Sequence, residues 1–169
     1  MRIAVTGPES SGKTTLTEHL AEVLDAPFVH EFARDYLTNL NRNYTIDDLV
    51  DIAKGQIESW KRFEDSPLLI SDTELLVIKI WSEFKFGKVD SFILDQFEQQ
   101  QFDLYLLCKP DLPWEDDPLR EHPEQRDELY IIYHTELIRR RLPFVVIEGG
   151  KEQRVEMALS AIERLKTSR

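Results

Sequence analysis

"VTGPESSGKTT", Val5 to Thr15, stands behind the short apolar run "RIAV" and ahead of Leu16, Leu20 and Leu24. Its Gly7-Pro8-Glu9-Ser10-Ser11-Gly12-Lys13-Thr14 portion fits G-x-x-x-x-G-K-[ST] at every fixed position, with a strand pattern before it and a helix pattern after it. Each fixed residue has a physical task. Gly7 and Gly12 permit backbone turns that aim several N–H groups at phosphate oxygens. The N-terminus of the following helix adds the positive end of its dipole. Lys13 is a point charge for β- and γ-phosphates, and the Thr14 hydroxyl is a ligand for Mg²⁺. The segment from Gly7 through Glu9, Ser10, Ser11, Gly12, Lys13, Thr14 and Thr15 is therefore expected to grip ATP. Glu9 is the anomaly, because a carboxylate beside phosphates is electrostatically costly. It is expected either to turn away into solvent or to face an acceptor or a cation.

Outward from this loop the chain alternates. "RIAVT" (2–6), "PFVHE" (27–31), "PLLISD" (67–72), "FDLYLLC" (102–108) and "PFVVIE" (143–148) are short apolar runs of the kind covered on both faces of a sheet. Between them, Leu16, Leu20 and Leu24 form one helical stripe, and Leu49, Ile52, Ala53, Ile57 and Trp60 another, with Thr45 placed to cap it. Residues 73–101 read as two helices broken near Gly87, 124–141 as another, and 151–168 as the last. Strands alternating with helices predict an α/β, three-layer P-loop kinase fold: a five-stranded parallel sheet flanked by helices, one domain over 1–169. The segment "KPDLPWEDDPLREHPEQR" (109–126) holds four of the eight prolines and nine charged side chains. It is too long and polar for a simple connection and is expected to be a lid, with a surface excursion as the alternative.

A formal charge of −11 repels phosphate backbones, so nucleic acid is not an expected partner, while a cationic small molecule is welcome. The single cysteine, Cys108, excludes an intramolecular disulfide framework and fits a reducing cytosol. No apolar run approaches the ~20 residues of a membrane helix, and the loop glycines arrive too early for a signal peptide. The expected location is the cytoplasm, with no membrane partner. Association into a homo-oligomer is compatible with the sequence. The four histidines show no metal spacing.

Three features favour phosphoryl transfer over simple hydrolysis. The chain has no N/T-K-x-D base-reading motif of regulatory GTPases. The second and third strands end in acids, Glu31 and Asp72, and ligands of open α/β sheets bind beyond those strand ends. Asp72 is placed to hold Mg²⁺ with Thr14, and Glu31 to accept the proton of an acceptor hydroxyl. Capping the helices that follow is the other reading of each. Finally, Arg120 and Arg126 of the 109–126 segment are expected to close over the transferring phosphoryl group and expel water, or else to be surface residues. Arg139, Arg140 and Arg141 sit at a helix end, where the dipole already accounts for them.

The blocks "GPESSGKTTL", "HEFARDYL", "DIAKGQ", "SDTE" and "YLLCKPDLPWEDDPLR" together resemble the ribosylnicotinamide kinase domain of the NadR type, over essentially the whole chain. The resemblance implies transfer from Mg-ATP to the 5′-hydroxyl of nicotinamide riboside, giving nicotinamide mononucleotide in NAD salvage. It implies that Gly7 to Thr15 bind ATP, that Asp72 sits by Mg²⁺ or the acceptor ribose, and that Glu31 and Arg34 lie in the acceptor pocket. "PDLPW" with Arg120 is the implied closing segment. Members of the family often carry this domain behind a helix-turn-helix and an adenylyltransferase with an H-x-G-H motif. No H-x-G-H occurs here, so neither of those activities is expected. The family tends towards tyrosine where this chain has Phe32, and towards aspartate where it has Glu74.

Nicotinamide riboside carries a flat pyridinium cation, for which an aromatic face near carboxylates is suited. Tyr36, Trp81, Phe84, Tyr105 and Trp114 are the candidates, against a plain core role. "EGG" (148–150) passes beside adenine or is a simple turn. Two alternatives stand beside this reading: a kinase for another nucleoside or a nucleoside monophosphate, and a nucleotide-dependent switch or partner-binding ATPase.

Overall fold

The apolar runs and helical periods resolve into five strands and seven helices in a computed structural model, which describes residues 1–167. In chain order these are β1 (Arg2–Thr6), α1 (Lys13–Leu24), β2 (Phe28–Val29), α2 (Phe32–Thr38), α3 (Ile46–Lys61), β3 (Leu69–Asp72), α4 (Leu75–Phe86), α5 (Ser91–Gln99), β4 (Leu104–Cys108), α6 (Arg126–Arg139), β5 (Phe144–Ile147) and α7 (Lys151–Thr167). The expected last residue of α7, position 168, lies outside the described residues.

The sheet is parallel throughout, in the order β2-β3-β1-β4-β5. Side-chain alternation divides β1 between two cores. Ile3 and Val5 face Leu16, Leu20 and Ile162 of α1 and α7, whereas Ala4 faces the core built by α2 to α6. That is the expected three-layer arrangement. From β1 the chain crosses to β2 at one edge, and from β3 it crosses back past β1 to β4. A crevice opens at such a reversal, outside the carboxyl ends of the strands.

Several boundaries differ from expectation: β3, β4 and β5 begin later than read, at Leu69, Leu104 and Phe144, β5 ends at Ile147 and α6 at Arg139. β2 covers Phe28–Val29 rather than 27–31, because it is an edge strand paired only with β3 and the chain turns at once into α2. α6 begins at Arg126, so Glu124 and Gln125 belong to the preceding segment. The break at Gly87 is as read: its φ of 67° closes α4 in the left-handed conformation that glycine adopts at little cost. Among the described residues no helix is long and apolar enough to cross a membrane.

The start of α3 is held by one buried carboxylate. Asp48, 3% exposed, accepts from the Thr45 amide (2.7 Å) and hydroxyl (2.9 Å), from the Tyr36 hydroxyl (2.8 Å), and from both terminal nitrogens of Arg42 (2.7 Å each). The Arg42 bonds outweigh burial and hold this carboxyl well below the usual aspartate range. A depressed carboxyl stabilises the fold above its unfolded pKa, and that contribution is lost as pH falls through the acid range. Asp48→Ala is expected to lower the unfolding free energy in urea by about 2–4 kcal/mol at pH 7, since several donors lose a charged acceptor. The deficit should narrow below pH ~4; an equal deficit at pH 3 and pH 7 would contradict the assignment.

Candidate active site

The phosphate loop is shaped by two close approaches. A Cβ on Gly7 (φ 134°) would stand 2.6 Å from the Cys108 carbonyl oxygen, so the loop lies directly on the end of β4. Gly12 (φ 79°) occupies the N-cap of α1, where a Cβ would meet Leu112 Cδ1 at 2.8 Å. Lys13 Nζ and the Ser11 hydroxyl both donate to the Pro8 carbonyl, at 2.8 and 2.7 Å. From outside, the buried Arg154 of α7 donates to the carbonyls of Ser11 (2.9 Å), Lys109 (2.9 Å) and Gly149 (2.7 Å) and pairs with Asp111. Gly149 N–H donates to Asp111 in turn (2.7 Å), so "EGG" is knitted into this support. Sequence reading passed over Arg154. Its only signal was an arginine in register with Ala158, Ala161 and Ile162 on the buried stripe of α7.

The strand-end acids resolve one by one. Asp72, 2% exposed, stands beside Val5 in the β1–β3 register, and its Oδ2 accepts the Thr14 hydroxyl at 2.6 Å. Its Oδ1 is buried with no protein partner among the described residues. It does not cap α4. Glu74 does, accepting the Leu76 amide at 2.5 Å while also accepting from Thr6 (2.9 Å) and Gln100 (2.8 Å). Between them Thr73 has φ 68°, a left-handed conformation rare for a β-branched residue and costing about 1–3 kcal/mol, which the surrounding hydrogen bonds hold in place. Glu31 occupies the N-cap position of α2 without making a capping hydrogen bond, and it lines the cavity instead. Burial raises the Glu31 carboxyl above its ordinary value; Lys13 opposes this and Asp72 adds to it. Asp72 is raised by burial against the Thr14 bond and Lys13.

The 109–126 segment folds back onto the phosphate loop. Glu9 Oε2 accepts the amides of Glu121 and His122, each at 3.0 Å, which is where the anomalous carboxylate goes. Ser10 Oγ accepts the Glu115 amide (3.0 Å) and Arg120 (3.4 Å). Across the segment Arg34 pairs with Asp117 at 2.9 Å.

A cavity of about 340 Å³ lies among these parts. Lys13, Thr14, Glu31, Arg34 and Arg120 line it, together with Trp81 and Phe84 of α4. Five expected contributors lie outside its lining. Tyr36 gives its hydroxyl to Asp48. Tyr105 is a core residue, 1% exposed. Arg126 is taken up by the carbonyls of Ser10 (3.2 Å) and Leu112 (2.9 Å). Trp114 donates to Asp116 and lies under the guanidinium groups of Arg120 and Arg126, 6.0 and 5.6 Å from its ring. Asp72 sits behind Thr14 rather than in the wall. Arg139 and Arg140, read as meeting the helix dipole, pair with Glu136 of the same helix.

Comparison with known proteins places this geometry. A family model described as an AAA domain, AAA_28, matches residues 2–154. The trifunctional NAD biosynthesis/regulator proteins NadR of Salmonella typhimurium and Escherichia coli are each 25% identical over 124 residues, 70% of this chain and 30% of theirs. A crystal structure of NadR in complex with NR superposes with a TM-score of 0.79 at 26% identity, covering 97% of this chain and 51% of that one. Deoxyadenosine kinase from M. mycoides shares the fold, with a TM-score of 0.70 at 15% identity. The chain thus spans about half the length of the solved NadR, and the resemblance carried by the five sequence blocks is borne out.

A carboxyl raised by burial weakens the fold as pH climbs from its unfolded value through its folded one, because only the folded state then still holds the proton. Asp72→Asn removes that loss while keeping an acceptor for Thr14. The expected outcome in metal-free buffer is a higher Tm than wild type at pH 8, the gap shrinking towards pH 4. An equal gap at both, read by calorimetry, would contradict the raised value.

Proposed function

The chain belongs to the AAA_28 family of AAA domains, and from that premise we propose that it is an ATP-dependent kinase of the 5′-hydroxyl of nicotinamide riboside. In this reading 1–169 is one kinase domain and 109–126 its lid. The observation that carries it is the convergence of Lys13, the Thr14–Asp72 pair and Glu31 at one crevice.

The phosphate loop and Lys13 bind and orient the β- and γ-phosphates. Thr14 and Asp72 would hold Mg²⁺: a hydroxyl and a carboxylate with a buried, unpartnered oxygen are a hard-oxygen donor set that suits it. When bound, Mg²⁺ supplies neutralisation of phosphate charge. Glu31 accepts the hydroxyl proton as the sugar oxygen bonds to the γ-phosphorus and the bond to the β–γ bridging oxygen breaks, releasing ADP. Its raised pKa brings it nearer to neutrality and makes it a better base than a solvated glutamate. Arg120, at the cavity wall, offsets charge on the moving phosphoryl group.

The acceptor end favours a cation. Trp81 and Phe84 give aromatic faces, and Glu9 and Glu31 give negative charge, a setting in which a pyridinium gains about 0.5–2 kcal/mol from cation–π attraction. A monophosphate acceptor requires extra cations there. Arg42 is taken by Asp48, Lys54 by Asp51 and Arg34 by Asp117, which weighs against that rival. The solved NadR complexes, one with NR and one with NAD and AMP-PNP, support the same choice.

Incubation with Mg-ATP and a nucleoside panel, following ADP and product mass, is expected to yield the mononucleotide of nicotinamide riboside. Turnover confined to thymidine or a monophosphate would overturn the acceptor, and slow hydrolysis indifferent to every nucleoside would favour a switch. Lys13→Ala is expected to lose most transfer while retaining its circular dichroism spectrum. Arg120→Ala should lower kcat on the order of 10³-fold if it acts as an arginine finger; an unchanged kcat would return it to the surface.

A further inference from the structure

Glu9 sits in a loop whose task is to bind anions, where a free carboxylate works against phosphate. Its Oε2 takes two backbone N–H groups of the 109–126 segment, those of Glu121 and His122. The side chain of Glu121 then reaches the opposite way. It accepts from the Tyr44 hydroxyl at 2.6 Å and from Lys85 Nζ at 2.6 and 2.8 Å. Tyr44 in turn accepts the indole N–H of Trp81 at 2.8 Å, with the two rings edge-on at 5.0 Å and Lys85 4.0 Å above the Tyr44 ring. Lys85 and Tyr44 outweigh the burial of the Glu121 carboxyl and hold it below its ordinary value, so it stays an anion. Glu9 is thus connected to a cavity wall through the backbone and carboxylate of Glu121, by charge-assisted hydrogen bonds as far as Tyr44 and a neutral one from Trp81 to Tyr44.

We propose that Glu9 and Glu121 are positioning residues forming a latch, through which docking of the 109–126 segment on the phosphate loop sets the position of the Trp81 wall. Glu9 fixes the backbone of residue 121, and the Glu121 carboxylate fixes Tyr44 and, through it, the indole. Nucleotide-side closure and the acceptor-side wall are then one mechanical unit. This rests on the kinase reading for its catalytic consequence, whereas the latch itself is a property of the fold.

Four variants test it: Glu9→Ala, Glu9→Gln, Glu121→Ala and Tyr44→Phe. Without any turnover, hydrogen exchange should show the amides of residues 121 and 122 losing protection in Glu9→Ala and keeping most of it in Glu9→Gln, which retains an acceptor oxygen. The indole N–H resonance of Trp81 should shift in all except Glu9→Gln. With Mg-ATP and nicotinamide riboside, Glu121→Ala and Tyr44→Phe should raise the nucleoside KM about fivefold or more with the ATP KM unchanged. Glu9→Ala should in addition raise the ratio of ATP hydrolysis to transfer. Wild-type exchange at residues 121 and 122 in Glu9→Ala, or an unmoved Trp81 indole signal in Glu121→Ala, would overturn the latch. Should wild type phosphorylate no nucleoside, the kinase reading fails alone, and the exchange and indole measurements still uphold or overturn the latch.

Discussion

The hydrogen bond from Thr14 to Asp72 joins positions 58 residues apart, and the site depends on it. It exists because β1 and β3 are parallel neighbours with Val5 opposite Asp72, so the phosphate loop and the third strand leave the sheet side by side. A parallel pair cannot be made by a hairpin, and the crossover that separates the two strands carries α1, β2, α2 and α3. Glu31 reaches the crevice as a by-product of that crossover. One topological requirement therefore delivers a loop that grips phosphate, a carboxylate beneath it and a second carboxylate beside it.

Holding a buried acid, Asp72, beside the half-buried Glu31 and Lys13 is unfavourable for folding, and the surroundings show how it is tolerated. Two buried side chains near the crevice each tie several elements together. Glu74 binds the end of β1, the start of α4 and Gln100 after α5. Arg154 spans the carbonyls of three connections. Neither touches the cavity chemistry as an acid or base; each restricts how far the loops around it can move. The raised carboxyls of Glu31 and Asp72 and the left-handed Thr73 are the strain that these ties sustain, and strain of this kind gathers where geometry serves chemistry.

The acidic balance of the chain is used unevenly. Most of the cations near the acceptor end are already paired, and Arg126 is spent on backbone carbonyls. At the cavity Lys13 and Arg120 supply positive charge, Arg34 is held by Asp117, and Trp81, Phe84, Glu9 and Glu31 supply aromatic faces and carboxylates. Such a lining suits an anionic donor and a neutral-to-cationic acceptor.

Local pattern alone made the phosphate loop, the five strand cores and the helical stripes legible, because spacing of glycines and apolar residues is a property of neighbours in the chain. The acids ending "FVHE" and "LLISD" were visible for the same reason, with helix capping as the alternative for each. Only tertiary structure separated those readings, since Glu74 rather than Asp72 caps α4 and Glu31 caps nothing. Tyr36, Tyr105, Trp114 and Arg126 were beyond sequence because their partners, Asp48, Gln100, Asp116 and the loop carbonyls, are chosen by packing. Glu9 marks the boundary best. The sequence posed it as a charge in the wrong place, and the fold answered with two amides from a segment more than a hundred residues away, a pairing that no local rule can anticipate.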